Sequence, residues 1–442
     1  MIAETLLKFA REEGLEEAEV YQSQTQTLRF DILDQQSRQF VVSDSSGLSL
    51  RGTRKGRCAS VYSEKTDEAS LQALAKQCRE LADALETEDT VLFTPGQTPM
   101  TDDRSDKTLA KHTASEKIEF MKKIEAAALK KDSRIQRVSA CGYQEVASLT
   151  TLANTQGLQG TRSSTLGLIT LSVIASDGKE QTNGISWRSI KDLTSQDADE
   201  LVEEAVQEAV SKLSAVRIPS GRYPAILRYD VATDLLGSLW SMFSSEQIQK
   251  DLSVLKDRQG QAVMSPLITI VDDPQLPDGF VSCDFDDEGV PTQRTVLVEK
   301  GVFKEALYDR KSALKANRAS TGNGFKNGCS SPVQISPTNL LVEPGDQSLD
   351  AMIAQMEEGV LITDLQGLHA GLNPLTTDFS LQASGFKIEK GQIAYPIHLI
   401  TIAANYLEMM NSIVALGNDG RQDLNGVRCS SLYVENLAIS GE

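Results

Sequence analysis

A polar stretch near the C-terminus holds the residues best suited to chemistry. Between His369 and Phe386, small, polar and turn-forming residues occur at a density that core strands do not need. Such a segment usually lines a site, because loop side chains on a rigid scaffold can meet a ligand. The strand-like run Ile393–Ile402 follows it, which predicts that the loop lies on a sheet. The side chains that could bind a peptide backbone or order the site are His369, Asn373, Thr377, Asp378 and Ser380.

The histidines limit the metal chemistry open to this chain. A single-site zinc hydrolase needs about three His, Cys or carboxylate ligands and an open position for water. The chain has three histidines, and they are far apart in sequence. We interpret His112 as solvated in a linker and His398 as a hydrogen-bonded residue of an apolar strand. His369 remains as the functional candidate, with a structural role in ordering its loop as the alternative.

Other catalytic motifs are mostly absent. The chain contains neither Gly-x4-Gly-Lys-[Ser/Thr] nor Gly-x-Ser-x-Gly, so we predict neither a P-loop nor a nucleophile elbow. Cys329 is a minor nucleophile candidate, since no base lies near it in sequence and a buried structural thiol explains it as well. The acidic run Cys283–Gly289 begins like a calcium loop, but the twelfth position from Asp284 is Thr295 instead of glutamate. We predict a solvated β-turn there.

Composition and charge exclude several classes of protein. The 442 residues include 62 acidic and 44 basic ones, a formal charge of -18 that disfavours general binding to nucleic acid. The local basic run Arg51–Arg57 has the glycines of a solvated hairpin turn. No run approaches about 18 apolar residues, so we predict neither a signal peptide nor a membrane span. Six scattered cysteines without a Cys-x-x-Cys pair favour a cytoplasmic protein with reduced thiols.

The elements that must position the polar stretch fall into a repeated first half and a strand-rich second half. Asp44–Leu48 and Asn154–Leu158 share the pattern [Asp/Asn]-[Ser/Thr]-x-Gly-Leu, each within strand-like sequence that leads to a helix with an acidic start. We therefore predict an α+β fold. Its N-terminal α+β domain spans residues 1–215, with similar halves at about 1–90 and 133–215, and a β-rich C-terminal domain spans 222–442.

The order of motifs resembles the TldD/PmbA family, which supplies metallopeptidase subunits. The resemblance rests on His-x-Gly-x-Asn-Pro-x-Thr-x-Asp-Phe-Ser from His369, then Ala383–Phe386, Asn405–Met409 and Gly417–Asp419. It extends to the acidic run and to Ser320–Asn323, and covers nearly the whole chain. It therefore adds Asn323 to the site candidates.

Some positions depart from the family pattern. Ala370 and Thr377 stand where Ser and Gly are expected, and Ala404 stands where Gly is usual. These departures leave open a specialised partner subunit or a stand-alone paralogue.

The resemblance also implies where a metal site would be. In the TldD branch of the family, His-Glu-x-x-x-His lies on a helix that corresponds here to Asp234–Phe243, which has no histidine. A later cysteine ligand of that branch would fall near Leu416–Asp419, which has no cysteine, and Cys429 lies beyond it. The chain therefore resembles the TldE (PmbA) branch, which implies no metal and no catalytic residue in this chain.

Two functions follow as expectations. The first is a non-catalytic subunit that pairs in the cytoplasm with a TldD-like, zinc-bearing subunit. Their heterodimer would bind unfolded or extended peptides for maturation and proteolysis, with the peptide added as a strand to a sheet edge. The alternative is a stand-alone homodimer that binds or hydrolyses peptides through His369 and the carboxylates of the acidic segments. Neither function involves nucleic acid or a membrane.

Overall fold

The computed structural model describes residues 2–86, 93–96, 98–277 and 279–441, so the end of the predicted first half, 87–90, lies outside the described residues. Contacts divide the chain into two units. The first comprises Met1–Ser214, Asp287–Gly289 and Lys326–Val333. The second comprises Ala215–Asp286, Val290–Phe325 and Gln334–Glu442. Two short stretches of later sequence therefore belong to the N-terminal unit.

The first unit is built from helices packed on one sheet. Its elements are α1 (Ile2–Glu12), β1 (Glu17–Leu33), β2 (Gln36–Arg54), β3 (Arg57–Ser63), α2 (Glu68–Ala84), β4 (Met100–Arg104), α3 (Ala114–Lys131), β5 (Ile135–Asn154), β6 (Gln159–Ser176), β7 (Gln181–Ile190) and α4 (Ser195–Ser211). A capping box opens α3, because the Thr113 hydroxyl and the Glu116 carboxylate satisfy each other's backbone N–H groups.

The sheet of the first unit has the strand order β3-β2-β1-β5-β6-β4, and β7 also pairs with β6. Antiparallel β1 and β5 lie next to each other at its middle. The outer edge of β6 is shared, since β4 pairs in parallel with residues 160–164 and β7 pairs antiparallel from Gly167 onward. On the other side, β3 covers β2 only from Leu48 to Arg54.

Each half of the first unit has the same order of elements, which confirms the predicted duplication. Both run helix, three antiparallel strands, helix: α1-β1-β2-β3-α2 and α3-β5-β6-β7-α4. Each half also buries its own apolar cluster. One packs α1 and α2 on β1–β3 together with Ala153 of β5, and the other packs α3 and α4 on β5–β7 together with Phe30 and Ile32 of β1. The two central strands therefore contribute to both clusters, in which helix and sheet faces exclude water from each other.

The Gly-Leu motifs that indicated the duplication are not equivalent to each other. Gly47 lies inside β2, whereas Gly157 lies in the β5–β6 turn with a φ of +88°. Gly167 of β6 takes the place of Leu48, because Leu48 pairs with the last residue of β3 and Gly167 with the last residue of β7. The match between the first two motifs was a coincidence of local sequence within a real repeat.

The second unit contains most of the short strands. Its elements are β8 (Gly221–Leu227), α5 (Tyr229–Leu239), α6 (Ser245–Gln249), β9 (Ile270–Asp272), β10 (Thr295–Glu299), β11 (Val302–Phe303), α7 (Arg310–Lys315), β12 (Gly324–Lys326), β13 (Val333–Ile335), β14 (Leu340–Val342), α8 (Leu349–Ala354), β15 (Glu358–Gln366), α9 (Leu368–Gly371), β16 (Asp378–Glu389), β17 (Gln392–Asn405), α10 (Tyr406–Asn411), β18 (Ile413–Leu416), β19 (Arg421–Gln422), β20 (Val427–Cys429) and β21 (Leu432–Ser440). The tip of the β12–β13 hairpin is the stretch that belongs to the first unit.

Two six-stranded sheets organise the second unit. One has the order β11-β10-β9-β14-β20-β19 and the other β17-β16-β15-β8-β21-β18. Pairing of β17 with β21 closes five strands of the latter sheet into a ring. Strand residues make up about 43% of the chain and helix about 25%, which confirms the predicted α+β class with a β-rich C-terminal region. Within the described residues, no helix has the length and apolar character that crossing a membrane requires.

Candidate functional site

The polar loop, residues 368–380, connects β15 to β16 at one end of the strand ring. The left-handed Gly367, with a φ of +82°, turns the chain into the short α9. The backbone N–H of Asn373 donates to the carbonyl of Asp378 at 2.9 Å, and that of Thr377 donates to the carbonyl of Asn373 at 2.8 Å. These bonds close residues 373–378 into a tight turn, so the loop has one defined shape.

Two of the predicted site residues hold the loop together. The Asn373 side-chain oxygen accepts from the backbone N–H groups of Leu375 and Thr376, the first at 2.9 Å. The Asp378 carboxylate accepts from the Asn405 amide at 2.9 Å, and this bond lowers the pKa of Asp378. Asn405, at the end of β17, also donates to the Thr376 carbonyl. Asn373 therefore fixes the turn through hydrogen bonds within it, and Asp378 fixes it through its hydrogen bond to Asn405 of the neighbouring strand.

Two other predicted residues present unengaged side chains. His369 on α9 and Ser380 on β16 are both exposed. Neither side chain has a hydrogen bond to another of the described residues. His369 and Ser380 are thus the polar groups of this loop that a ligand can reach without displacing an internal partner.

Thr377 differs from the other four residues because it is buried and strained. It has no exposed surface, a φ of +65°, and a hydroxyl without a hydrogen-bond partner among the described residues. A left-handed conformation is a true outlier for a β-branched residue. The family pattern has glycine at this position, which accepts this conformation without a steric penalty.

Replacing Thr377 by glycine is expected to stabilise the second unit by about 1 kcal/mol. The change relieves about 1–2 kcal/mol of left-handed strain and removes an unsatisfied buried hydroxyl, while the added freedom of the unfolded chain offsets about 1 kcal/mol. Urea unfolding followed by fluorescence measures the difference. The matched control is Thr295→Gly, also buried but without a positive φ, which should destabilise. A less stable Thr377→Gly protein would contradict the strain argument.

Asn323 does not join the loop residues in any hydrogen bond of the described chain. It is 1% exposed, and its amide nitrogen donates to Asp272 at 2.7 Å and to the Ser336 carbonyl at 3.0 Å. The Thr321 hydroxyl donates to its side-chain oxygen at 2.6 Å. Burial raises the pKa of Asp272 to about 6. Asn323 thus belongs to an internal polar network of the second unit.

Helix α5 stands where the metal-binding motif of the TldD branch is expected. It presents Asp230 and Asp234, and Asp230 is ion-paired with Arg228 at 2.6 Å. More than a third of Asp234 is exposed. Its pKa is nevertheless raised to about 6, first by partial burial and then by the negative charges of nearby aspartates, of which Asp230 has the largest effect. In the described part of the chain, no three His, Cys, Asp or Glu side chains form a metal-binding group.

The acidic turn at residues 286–289 is buried, so the prediction of a solvated turn was wrong. Asp287 is 2% exposed and accepts from Arg162 at 2.7 Å and from the backbone N–H of Lys326 at 2.9 Å. Glu288 is 3% exposed and pairs with Arg51 at 3.5 Å. Buried carboxylates are tolerated when cations and N–H groups compensate them. No local sequence signal marks this cluster, because the cationic partners lie more than 100 residues away.

The basic run Arg51–Arg57 is only partly solvated. Its turn at Lys55 and Gly56 connects β2 to β3 as predicted, but Arg51 itself is mostly buried. The Arg51 guanidinium pairs with Glu19 at 2.9 Å and lies over the Phe93 ring at 5.0 Å. Arg51 therefore belongs to the internal charge network of the first unit.

The remaining histidines and Cys329 have no catalytic arrangement in the described structure. His112 is partly exposed in its linker and lies 2.6 Å from the exposed Asp192. The half-buried His398 side chain lacks the hydrogen bond expected for it within the described residues. Burial raises the pKa of Cys329, which disfavours the nucleophilic thiolate.

Three domain models of one family match the chain in order. Domain 1 of the PmbA/TldA metallopeptidases matches residues 18–82, the central domain matches 107–213, and the C-terminal domain matches 220–441. The last alone spans half of the chain. The chain belongs to the PmbA/TldD metallopeptidase family. The resemblance inferred from the polar stretch is thereby confirmed.

Individual relatives extend this assignment. Metalloprotease PmbA of Escherichia coli O157:H7 is 28% identical over 338 residues, 75% of this chain and 71% of that protein. A Thermotoga maritima structure described as a candidate modulator of a DNA gyrase is 28% identical, with a TM-score of 0.87 over 99% of both chains. TldE from Thermococcus kodakarensis has a TM-score of 0.89 over 100% of both chains at 23% identity, which shows a common fold. The chain thus resembles PmbA in sequence and TldE in fold.

Proposed function

We propose that this PmbA/TldD-family chain is a non-catalytic subunit of a two-subunit metallopeptidase and works with a TldD-like partner that carries zinc. The observation that carries the proposal is the composition of α5. Where the TldD branch has His-Glu-x-x-x-His, Tyr229–Leu239 contains no histidine. Two aspartates one turn apart do not supply the three ligands and the open position that a zinc hydrolase needs.

The polar loop supports a role in peptide binding. His369 and Ser380 are exposed and unengaged, while Asn373 and Asp378 give the loop a fixed shape. Groups held this way can meet the N–H and C=O groups of an extended peptide with little loss of entropy on binding. The proposed substrates are unfolded or extended peptides, which the assembled complex would cleave or mature in the cytoplasm.

The purified chain alone is expected to bind less than stoichiometric zinc and to cleave no peptide. Co-expressed with a family paralogue that carries His-Glu-x-x-x-His, it should form a complex with zinc and peptidase activity. Elemental analysis measures the zinc content, native mass spectrometry measures complex formation, and cleavage of an unfolded peptide measures activity. The matched control is a complex whose paralogue has glutamine for the motif glutamate. One zinc per lone chain, lost together with activity on chelation, would overturn the proposal.

Replacing Asn373 and Asp378 together by alanine is expected to lower peptide processing by the complex at least tenfold, while the protein stays folded and its urea-unfolding midpoint changes little. The physical reason is that exposed hydrogen bonds contribute little to stability, but here they set the shape of the loop. Processing rate and urea unfolding are measured on the same preparation.

Two further variants complete the test of the loop. Changing His369 and Ser380 to alanine should leave stability unchanged and reduce processing, since both side chains lack internal partners. The double variant of the exposed ion pair Glu299 and Lys304 is the control and should change neither quantity. Wild-type processing by both loop variants would show that the loop is scaffold.

A further inference from the structure

One edge of the first unit's sheet contains a stretch of strand without a neighbour. Strand β1 pairs with β2 along nearly its whole length, but β3 begins to cover the opposite side of β2 only at Leu48. A bulge at Gln39, with a φ of +51°, limits the regular part of the uncovered strand. The open edge, defined as Phe40–Gly47, therefore presents backbone N–H and C=O groups that no other strand of the described chain uses.

The first three residues of the open edge are apolar and exposed. Phe40 and Val41 are each 46% exposed and Val42 is 73% exposed. Natural sheets protect such edges with charges, prolines or covering elements, because a long apolar edge pairs readily with another strand. Three consecutive exposed apolar residues next to free backbone groups mark a pairing surface.

The internal repeat shows what the equivalent edge of the second half accepts. When Leu48 is matched with Gly167, the open edge corresponds to residues 159–166 of β6. There, residues 160–164 pair in parallel with β4, a five-residue extended segment between the two halves. The same fold therefore already holds an added parallel strand at one of its two equivalent edges.

The contacts of β4 indicate the chemistry of such an occupant. Its sequence, Met-Thr-Asp-Asp-Arg, is polar, so the backbone ladder carries most of the pairing. A side-chain contact between the two strands adds to it, since the Ser163 hydroxyl donates to the Asp103 carboxylate at 2.6 Å.

A cavity of about 240 Å³ lies at the Gly47 end of the open edge. The cavity lies next to Ser63, the last residue of β3. A strand added to the edge of β2 beyond the end of β3 would therefore pass beside the cavity. Cys329, from the β12–β13 hairpin tip, packs over Gly47 and forms one wall. Its polar lining includes Ser23, Thr25, Ser45, Ser46, Ser63 and Glu64. The cavity has room for one polar side chain of an added strand.

We propose that the open edge binds one extended peptide segment, which joins the sheet as a strand parallel to β2 and places a side chain in the cavity. The proposal rests on the proposed function only for the class of ligand, an unfolded peptide. The β4 precedent favours a parallel peptide over a second copy of this chain, because two copies related by a two-fold axis would pair their β2 edges antiparallel.

The test is binding of a fluorescein-labelled peptide with the sequence of residues 98–106, which contains β4. In the intact chain β4 already occupies the β6 edge, so the open edge is the equivalent position left for the probe. We expect saturable binding by anisotropy and slower hydrogen exchange at residues 40–47. Val42→Lys should weaken binding at least tenfold, whereas Ile185→Lys, at an exposed residue of β7, should change it less than twofold.

N-methylated probes test the backbone ladder on the unaltered protein. Methyl groups on the alternate nitrogens that face β2 should abolish binding, while methyl groups on the other nitrogens should not. Absence of binding, equal loss in the two lysine variants, or equal effects of the two methylation patterns would each overturn the proposal. Concentration-dependent protection of residues 40–47 without peptide would also overturn it and show a contact between two copies. Since the readout is binding, a failed metal test leaves these outcomes unaffected.

Discussion

Replacing Asp287 by alanine is expected to lower the free energy of unfolding of the first unit by about 3–5 kcal/mol. Asp287 is buried and compensates the Arg162 guanidinium, which is only 18% exposed. Removing one partner of a buried ion pair leaves the other charge poorly compensated, and that is strongly destabilising. The carboxylate also accepts from the backbone N–H of Lys326, so its loss releases the hairpin tip.

The tryptophans allow each unit to be measured separately. The chain has two, Trp187 in the first unit and Trp240 in the second. In a Trp240→Phe background, urea unfolding followed by fluorescence reports the first unit. Glu119→Ala is the matched control, because it removes a surface partner of Lys122 that is 58% exposed and should cost less than about 1 kcal/mol. Equal effects of the two substitutions would contradict the account.

A second pairing variant separates charge from packing. Replacing both Arg162 and Asp287 by apolar residues of similar volume should recover much of the stability lost by Asp287→Ala, since no uncompensated charge remains. If the double variant loses the sum of the two single losses, the residues do not act as a pair.

Replacing Asp272 by alanine is expected to lower the free energy of unfolding of the second unit by about 3 kcal/mol or more at pH 7. The carboxylate is 1% exposed and accepts from the Asn323 amide and from both the N–H and the hydroxyl of Thr338. Each buried donor left without an acceptor costs about 1–3 kcal/mol. Fluorescence of Trp240 in a Trp187→Phe background measures the loss.

The same variant has a defined pH dependence. Burial raises the pKa of Asp272 from 3.8 to about 6, so folding favours the protonated carboxyl. The contribution of this group to stability is therefore largest below about pH 4 and decreases as the pH rises through about 6. The difference between wild type and Asp272→Ala should be larger at pH 5 than at pH 7. A difference that grows with pH would show that the ionised form is the one the fold favours.

Much of the fold could be predicted because its signals are local. Alternating strand patterns and acidic helix starts depend on neighbours within a few residues, and each half ends in such a helix, α2 or α4, as predicted. The duplication was also visible as a repeated order of elements. Its register was not, because Gly47 and Gly157 share a short motif, whereas the pairing of β3 and β7 makes Leu48 and Gly167 the equivalent residues.

The candidate site was predictable in composition but not in the roles of its residues. The sequence alone located the polar loop and the missing histidines of α5. It did not distinguish the exposed His369 from the strained and buried Thr377, since φ and burial depend on how the loop closes. Asn323 looked like a site residue, yet its partners Asp272 and Ser336 become neighbours only when the second unit folds.

By itself the sequence determined the family, the repeated order of elements and the chemistry available near α5, because these follow from residue types and short-range spacing. The tertiary structure decided which charges are buried and which edges are open. Arg162 and Asp287 are 125 positions apart, and only folding brings them within 2.7 Å. Likewise, Phe40–Gly47 reads as an ordinary strand, and only the sheet as a whole shows that no other strand among the described residues pairs with its outer edge.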